Sequence, residues 1–262
     1  MPFRQVNFLR YYQFELLQNA GLEHGIFTRR GGVSPSPWKA LNLGGTVGDA
    51  PERVAENKQM LFDAIGRHIG SSYEVWQVHG AEAIYARNPR LPDQPFQKAD
   101  ILLTDQPHVT LFMRFADCVP VLLYDPAHDA AGLVHAGWRG SVLKAAAQAV
   151  WKMAAWFGTR PKDILAGIGP SIGAHHYAVG PEVADQVHAA FDGLADSLLP
   201  SSDGIGVRFD LWEANRLVLE QAGVRNIEVA GLCTACHPED WFSHRGEHGQ
   251  TGRFGAYVAL KA

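Results

Sequence analysis

The sequence predicts a mixed α/β fold in which layered sheets are covered by helices. Three observations predict this class. Apolar residues make up 47% of the 262 residues, which is enough to bury a sizeable core. The middle of the chain holds short segments rich in β-branched and aromatic residues, and segments with helical periodicity lie before and after it. No low-complexity linker interrupts the chain, so we expect one domain over residues 1–262, with two closely packed halves as the alternative.

The first predicted helix covers about residues 51–66. Val54, Leu61 and Ile65 recur there near helical spacing. Asp49 is a candidate cap, and a proline at the entry suits the first turn because its missing N–H needs no partner there.

Five strand-like segments follow in close succession. They are YEVWQVHGAEAIYA (73–86), ADILLTD (99–105), VTLFMRF (109–115), VPVLLYD (119–125) and AAGLVHA (130–136). Gly, Pro or Asp separates them, as is typical of strand boundaries. Because the connections are short, we expect much of the pairing to be antiparallel or mixed.

Helices and strands alternate in the second half of the chain. The predicted helices are 140–159, with Ser141 as its cap and Gly158 at its end, then 181–199, and 210–223, with Asp210 and Glu213 close to a capping box. The predicted strands are 163–170 and 226–234. The glycine-rich stretch GIGPSIG, residues 167–173, lacks dinucleotide-binding spacing, so we interpret it as a tight turn.

Charge and composition favour small-molecule chemistry. The 23 Lys and Arg residues nearly balance 27 Asp and Glu residues, so the net charge of −4 indicates neither nucleic acid nor an anionic membrane as a partner. The longest apolar runs are far shorter than the roughly 20 residues of a membrane helix. With no secretory signal pattern and only three cysteines, a cytoplasmic protein is expected.

The stretch CTACH, Cys233 to His237, matches the C-x-x-C-H pattern of covalent haem attachment. That attachment usually takes place after export, and an export signal is not visible in the sequence. We therefore interpret the match as a coincidence of spacing.

Three stretches could supply the ligands of one metal site. A catalytic zinc takes three nitrogen or sulfur ligands from the protein and keeps a fourth position open. QVHG offers His79, ADCVP offers Cys118 and HAGWRG offers His135, each at the end of a predicted strand. Each residue also has a plain structural interpretation, such as a core histidine or a small buried cysteine.

Residues beside these stretches are further candidates. Asp117 could accept a proton, orient a metal ligand or satisfy backbone donors in a turn. Arg139 lies at a predicted helix N-terminus, where backbone N–H groups can hold an anion such as phosphate. Trp138 could stack on a nucleobase or pack under the turn.

Nine motifs resemble, in their order along the chain, those of one known family. They are HGIFTRRGGVSPSPWKALNLGG, VAENK, WQVHG, ADCVPV, HAGWRG, GIGPSI, CTAC, WFSHR and TGR, spread over about residues 21–258. The family is the bacterial multicopper polyphenol oxidoreductase (laccase) family, also called the YfiH or DUF152 family. Its members are regarded as purine nucleoside phosphorylases related to the human protein LACC1.

The resemblance implies a fold, a metal and an activity. The implied fold is a single-domain layered α/β/β/α sandwich with mixed sheets, and the implied zinc ligands are His79, Cys118 and His135. The implied reactions are phosphorolysis of adenosine, inosine and 5′-methylthioadenosine to the free base and ribose 1-phosphate, and adenosine deamination. Purine nucleoside and inorganic phosphate are thus the expected partners, and Cys233 and Thr234 are expected near the pocket.

The candidate residues divide by role. Asp117 and Arg139 are the catalytic candidates. The candidates for substrate or phosphate binding are Arg29, Asn42, Lys58, Gln77, Trp138 and Arg253. Many relatives have an arginine at the position of Lys58, and a lysine there keeps the charge but loses bidentate geometry toward phosphate. Each of the four cationic candidates could equally form a structural salt bridge; they are Arg29, Lys58, Arg139 and Arg253.

Other functions are also compatible with the sequence. Zinc could serve hydrolysis of another amide or amidine, and the older family name implies a copper-dependent polyphenol oxidase (laccase). A multicopper oxidase uses paired H-x-H histidines, and none of the 12 histidines forms that pair. In a metal-stabilised binding protein the site would be closed by a fourth ligand, for which Cys233, Cys236 or His244 are candidates. The oligomeric state is not predicted.

Overall fold

Two six-stranded sheets pack against each other in the computed structural model, which describes residues 2–202 and 206–261. In spatial order, sheet I contains β1 (Phe3–Val6), β2 (Leu9–Tyr12), β3 (Glu23–Phe27), β14 (Phe254–Ala259), β7 (Thr110–Phe115) and β4 (Ser72–Tyr73). Sheet II contains β13 (Asn226–Val229), β10 (Leu165–Ile168), β8 (Val119–Asp125), β9 (Ala130–Ala136), β6 (Ile101–Thr104) and β5 (Ala83–Tyr85). A small ribbon pairs β11 (Ser201–Ser202) with β12 (Gly206–Val207). Both large sheets are mixed, because β4–β7, β5–β6 and β10–β13 pair in parallel and the other neighbours are antiparallel.

The helices lie on the outer faces and in the connections. They are α1 (Glu15–Asn19), α2 (Pro51–Ala64), α3 (Trp138–Val142), α4 (Ala145–Phe157), α5 (Pro181–Phe191), α6 (Ala195–Leu198) and α7 (Leu211–Gln221). Short 3₁₀ turns cover Ile69–Ser71, Pro161–Asp163, Ala174–His176 and Asp192–Leu194. In the described part of the chain, no helix is long and apolar enough to cross a membrane.

Successive side chains of a strand face opposite sides of its sheet, and this alternation gives each sheet two buried faces. On β7, Met113 joins the core between the two sheets, while its neighbour Phe112 faces the other way and packs with Phe62 of α2. On β8, Leu122 joins the core between the sheets and Leu123 joins the core formed with α4, α5 and α7. The order of layers is therefore helix, sheet, sheet, helix, which confirms the fold class implied by the family resemblance.

Several predicted elements differ in extent from those observed. The helix predicted over 140–159 is divided into α3 and α4, because Lys144 adopts a left-handed conformation with φ of 55°. Ser141 lies inside α3 rather than capping it, and its hydroxyl accepts a hydrogen bond from Asn215. Gly158 ends α4 with φ of 74°, as predicted. Asp210 caps α7 by accepting a bond from the backbone N–H of Glu213, also as predicted.

The long strand predicted over 73–86 is wrong in its middle. Its two ends pair in β4 and β5, Trp76 forms an isolated bridge with Lys98, and the chain turns back around His79, whose φ is 60°. The helix predicted over 181–199 stops at Phe191, where a 3₁₀ turn follows. The four strands β1, β2, β3 and β14 of sheet I were not predicted.

We expect Gly167→Ala in β10 to destabilise the fold by about 1–3 kcal/mol, as overpacking of a filled core does. A Cβ at this position would lie 2.5 Å from the ring of Phe14, which is fully buried and has no room to move. Chemical denaturation followed by circular dichroism measures the effect.

The matched control is Gly193→Ala, where an added Cβ meets no atom within 4 Å. Equal free energies of unfolding for the two variants would contradict the packing of Phe14 against β10.

Candidate functional site

A cavity of about 760 Å³ lies where connections from both sheets converge. Its walls come from the β3–α2, β4–β5, β7–β8 and β10–α5 connections, from the end of β9 and from the segment before β14. This volume is within the range of roughly 300–1,000 Å³ that is typical of small-molecule sites. The predicted metal ligands His79, Cys118 and His135 all line it.

Strand register brings the three predicted ligands together. In the antiparallel β8–β9 pair, Pro120 lies opposite His135, so Cys118 just before β8 reaches the same end of the sheet. The turn after β4 places His79 against them. One ligand atom from each residue lies within 4.8 Å of the other two.

Asp100 holds this arrangement in place. Its Oδ1 accepts hydrogen bonds from His135 Nδ1 at 2.7 Å and from the backbone N–H of His79 at 3.0 Å. Its Oδ2 accepts bonds from the backbone N–H groups of Val78 and Gly80. Nδ1 of His135 donates to this fully buried carboxylate. Nε2 is therefore the ring nitrogen whose electron pair can bind a metal.

Asp100 is a functional residue that the sequence analysis missed. The signal in the sequence is its position immediately before β6. This position matters because β6 pairs with the strand that carries His135. That pairing joins residues far apart in the chain, so local patterns do not reveal it.

The backbone is strained at two of the residues that line the cavity. His79 has φ of 60° and Asp117 has φ of 81°, in a region that is uncommon for residues other than glycine, although Asn, Asp and His adopt it more often than the rest. The three N–H groups bound by Asp100 surround His79 and stabilise its turn. Such strain occurs preferentially at functional sites, where surrounding contacts hold it.

Cys118 and His135 form a charged pair. Burial alone would raise the pKa of the Cys118 thiol, but the charge of His135 and hydrogen bonds with His135 and His79 lower it to about 6. Burial would likewise lower the pKa of His135, but the Cys118 thiolate and Asp100 raise it to about 9. The site therefore favours the thiolate, which is the form of cysteine that binds metals.

The three side chains fit a metal ion. Two imidazoles and one thiolate are a donor set that zinc and copper both accept. Ligand atoms of one tetrahedral zinc are separated by roughly 3.3–3.6 Å, which lies within the 4.8 Å limit of this group. His79 is exposed on the cavity side, so the trio can leave a coordination position open to substrate.

The predicted fourth ligands do not complete this trio. Cys233 and Cys236 converge instead with His175 and His176 in a separate group, so their assignment to the first site is wrong. His244 lines the same cavity without joining the trio's ligand atoms.

Asp117 lines the cavity with both carboxylate oxygens already bonded. Oδ1 accepts from the hydroxyl of Thr234 at 2.6 Å, and Oδ2 accepts from the backbone N–H of Arg245 at 2.6 Å. Thr234 is thus close to the pocket, as expected. These bonds connect the carboxylate to two segments far along the chain. Its catalytic role stays a prediction.

Two predicted phosphate ligands, Arg29 and Lys58, bond to other groups of the protein. Arg29 donates to the carbonyls of Lys39 and Pro238 and pairs with Glu247, with its guanidinium 4.2 Å from the ring centre of Phe242. It lies outside the set of side chains lining the cavity.

Lys58 bonds to the buried carboxylate of Glu74, which also pairs with Arg114 at 2.8 Å. Burial raises the pKa of Glu74, but Arg114 and Lys58 together bring it below its usual value. Lys58 also lies outside the cavity lining, whereas Arg114 is part of it.

Two further candidates also lie away from the cavity. Asn42 is fully buried, and its amide bonds to Asp49, Gly44 and the backbone N–H of Arg253. Arg139 is exposed on α3 and lies outside the cavity lining. Neither placement supports the predicted contact with substrate.

The remaining candidates do line the cavity. They are Gln77, Trp138 and Arg253. Gln77 makes two hydrogen bonds with the backbone of Arg114, which couple the β4–β5 connection to β7. Arg253 is largely buried, which lowers its pKa from the usual value. Lining residues that the sequence analysis missed are Trp76, Phe96, Arg114, Tyr177 and Arg245.

Comparison with known proteins shows similarity along nearly the whole chain. A family model described as multi-copper polyphenol oxidoreductase laccase matches residues 23–261. A purine nucleoside phosphorylase of Deinococcus radiodurans is 38% identical over 242 residues, which cover 92% of this chain and 90% of that protein. The human purine nucleoside phosphorylase LACC1 is 32% identical, over 91% of this chain and 55% of its own length.

A solved structure shows the same fold. YlmD from Geobacillus stearothermophilus has a TM-score of 0.91 and 33% identity, covering 100% of this chain and 99% of that chain.

We expect Asp100→Asn to weaken metal binding at the trio by about 10- to 100-fold, the usual effect of losing a carboxylate that orients a histidine ligand. An amide has only one acceptor oxygen, so it cannot receive all the bonds that the two carboxylate oxygens accept. Competition against a chromogenic chelator measures the affinity.

Asp105→Asn is the matched control, because Asp105 follows the same strand but bonds to Tyr85 and Gln106. Unchanged affinity in a folded Asp100→Asn protein would contradict the orienting role.

Proposed function

Because the chain belongs to the multi-copper polyphenol oxidoreductase laccase family, whose curated relatives are named purine nucleoside phosphorylases, we propose that it is a purine nucleoside phosphorylase. Its substrates are adenosine and inosine, which it cleaves with inorganic phosphate to the free base and ribose 1-phosphate, and 5′-methylthioadenosine, which gives adenine and 5-methylthioribose 1-phosphate. Deamination of adenosine is a second activity of the same site.

One observation carries this proposal. A single cavity combines a metal-binding trio, cationic side chains and aromatic rings. In phosphorolysis the cationic side chains can hold the anionic nucleophile, the aromatic rings can hold the flat base, and a metal can polarise an oxygen of the substrate.

The metal of this proposal is zinc, held by His79, Cys118 and His135. A zinc ion with three protein ligands supplies a Lewis acid that polarises an oxygen or activates water. Asp100 keeps His135 in the tautomer that exposes Nε2 to the metal.

Cationic groups opposite the trio bind phosphate. Arg253 and Arg245 line the cavity, with the guanidinium of Arg245 5.1 Å from the ring centre of Tyr177. Arg253 Nη1 donates to the carbonyls of Thr251 and Gly252, which leaves donors on its other nitrogens for an anion. These two arginines replace Arg29, Lys58 and Arg139 as the proposed phosphate ligands.

Aromatic rings at the mouth of the cavity bind the base. The side chains of Trp76 and Phe96 are 52% and 41% exposed although both are large and apolar. A hydrogen bond from the backbone N–H of Trp76 to the carbonyl of Gln97 holds the two segments side by side. A purine stacking there would cover apolar surface that is otherwise in water.

Asp117 is the proposed acid–base group. Thr234 and the backbone N–H of Arg245 orient its carboxylate, so it can accept a hydrogen bond or a proton from the substrate at a defined position. The departing purine gains negative charge, and donors near the base stabilise it.

A single assay design tests the function. Zinc-loaded protein is incubated with inosine, adenosine or 5′-methylthioadenosine, with and without phosphate, and products are separated by chromatography. We expect hypoxanthine or adenine together with a ribose 1-phosphate only when phosphate is present, and inosine from adenosine without it. Base release that does not depend on phosphate, or the absence of any product, would contradict the phosphorylase proposal.

The name of the family favours copper-dependent oxidation of polyphenols as the second candidate function. The same protein loaded with copper and supplied with a phenol and oxygen tests this candidate. Phenol oxidation that exceeds that of the free copper ion and is lost in Cys118→Ala would favour the oxidase.

Arg253→Met should raise KM for phosphate by roughly 10- to 100-fold, which corresponds to loss of about 1.5–3 kcal/mol for a charged hydrogen bond. KM for the nucleoside should change much less. Steady-state kinetics with each substrate varied in turn separates the two effects.

Arg225→Met, which alters an exposed arginine just before β13, is the control and should leave both constants unchanged. An Arg253→Met enzyme with unchanged KM for phosphate would remove Arg253 from the phosphate site.

A further inference from the structure

A second group of metal-binding side chains lies next to the cavity. His175, His176, Cys233 and Cys236 each offer one ligand atom, and these four atoms all lie within 4.8 Å of one another. The four side chains are outside the cavity lining and take no part in the proposed phosphorolysis. Two imidazoles and two cysteines form the donor set of closed, four-coordinate zinc sites.

The ligands come in two pairs from two chain segments. Both histidines belong to the 3₁₀ turn Ala174–His176, between β10 and α5. The cysteines are separated by two residues in the segment after β13, which is the spacing of ligand pairs in structural zinc sites. Two such pairs can surround one ion without a change in chain path.

Backbone bonds hold the two segments in register. Ser171 pairs with Cys233 in a parallel bridge, in which Ser171 N–H donates to Leu232 and Thr234 N–H donates to Ser171. Because these bonds immediately precede the histidine turn, the ligands are positioned before any ion binds.

The local contacts fit a metal site. His175 Nε2 lies 3.1 Å from Cys236 Sγ, close to the roughly 3.5 Å between nitrogen and sulfur ligands of one tetrahedral ion. The backbone N–H of Gly173 donates to Cys233 Sγ at 3.2 Å. Such a bond stabilises a thiolate and is typical of the groups that surround metal-bound sulfur.

Two other interpretations account for fewer of these contacts. A Cys233–Cys236 disulfide would leave the convergence of two histidines unexplained. Covalent haem would use His237 as its ligand, but this residue lies outside the group and its Nδ1 is 3.5 Å from Glu239.

From this convergence we propose that His175, His176, Cys233 and Cys236 bind one zinc ion in a closed structural site. The ion joins the β10–α5 connection to the segment after β13. Both segments border the cavity, because Tyr177 follows the histidines and Thr234 follows Cys233. The protein thus binds two ions, of which the second serves structure.

Metal stoichiometry tests the proposal. Protein purified under reducing conditions and loaded with cobalt should bind two ions per chain. His175→Ala/Cys236→Ser should bind one, and its thiolate-to-cobalt absorption should fall to about one third, because one of three thiolate ligands remains. Cys118→Ala should instead lose the first ion and keep the second.

His237→Ala is the matched control, since His237 adjoins Cys236 without belonging to the group, and it should keep both ions. One ion in the wild-type protein, or two in His175→Ala/Cys236→Ser, would overturn the proposal.

A second measurement needs no variant. Cys236 is exposed, and at mildly alkaline pH, where its thiolate forms, iodoacetamide should alkylate it in the metal-free wild-type protein, whereas zinc should protect it. Mass spectrometry of the peptide that contains Cys233 and Cys236 locates the modification. Equal alkylation with and without zinc, or a disulfide between the two cysteines after reduction and zinc loading, would overturn the proposal.

Discussion

The carboxylate of Asp100 is the constraint on which the cavity depends. A fully buried carboxylate is costly unless strong hydrogen bonds compensate for lost water, and this one accepts bonds from three backbone N–H groups and from His135. One residue therefore holds the left-handed turn at His79 and also orients the His135 ring. Asp100 directly precedes β6, which pairs with the strand β9 that carries His135, and the three backbone donors belong to the β4–β5 connection. The geometry of the metal-binding trio is in this way set by the rigid part of the fold.

The two sheets contribute different chemistry to the cavity. Sheet II and its adjoining turns provide the metal-binding trio, whereas Arg114 belongs to sheet I and Arg253 directly precedes its strand β14. The core between the sheets, which includes Phe115 and Phe254, fixes the distance between these two sets of groups. Packing of the sheets is therefore a condition for bringing the arginines close to the metal-binding trio.

Local sequence patterns predicted elements whose character is set within a few residues. These include α2, α7 with its Asp210 cap, and the buried strands β6 to β10. Four strands of sheet I, β1, β2, β3 and β14, were missed. The partners of β14 include β3, which lies more than 200 residues earlier in the chain, as the pairing of Ala256 with Ile26 shows. The family resemblance supplied the layered fold and the trio, which the structure brings together. It could not supply the phosphate ligands, because the partners of Arg29 lie more than 200 residues away.

Helix α2 lines the cavity with Val54, and Glu74 gives it a second, electrostatic influence. Its single negative charge is shared by Lys58 on the helix and Arg114 on the cavity wall, so the three side chains together carry one net positive charge. The electrostatic potential that Arg114 presents to an anion therefore depends on how closely Lys58 approaches the shared carboxylate. In the proposed phosphorylase, Lys58 then acts on the long-range attraction of phosphate and on its rate of association. A substitution of Lys58 would in this way adjust phosphate capture while the reacting groups stay in place.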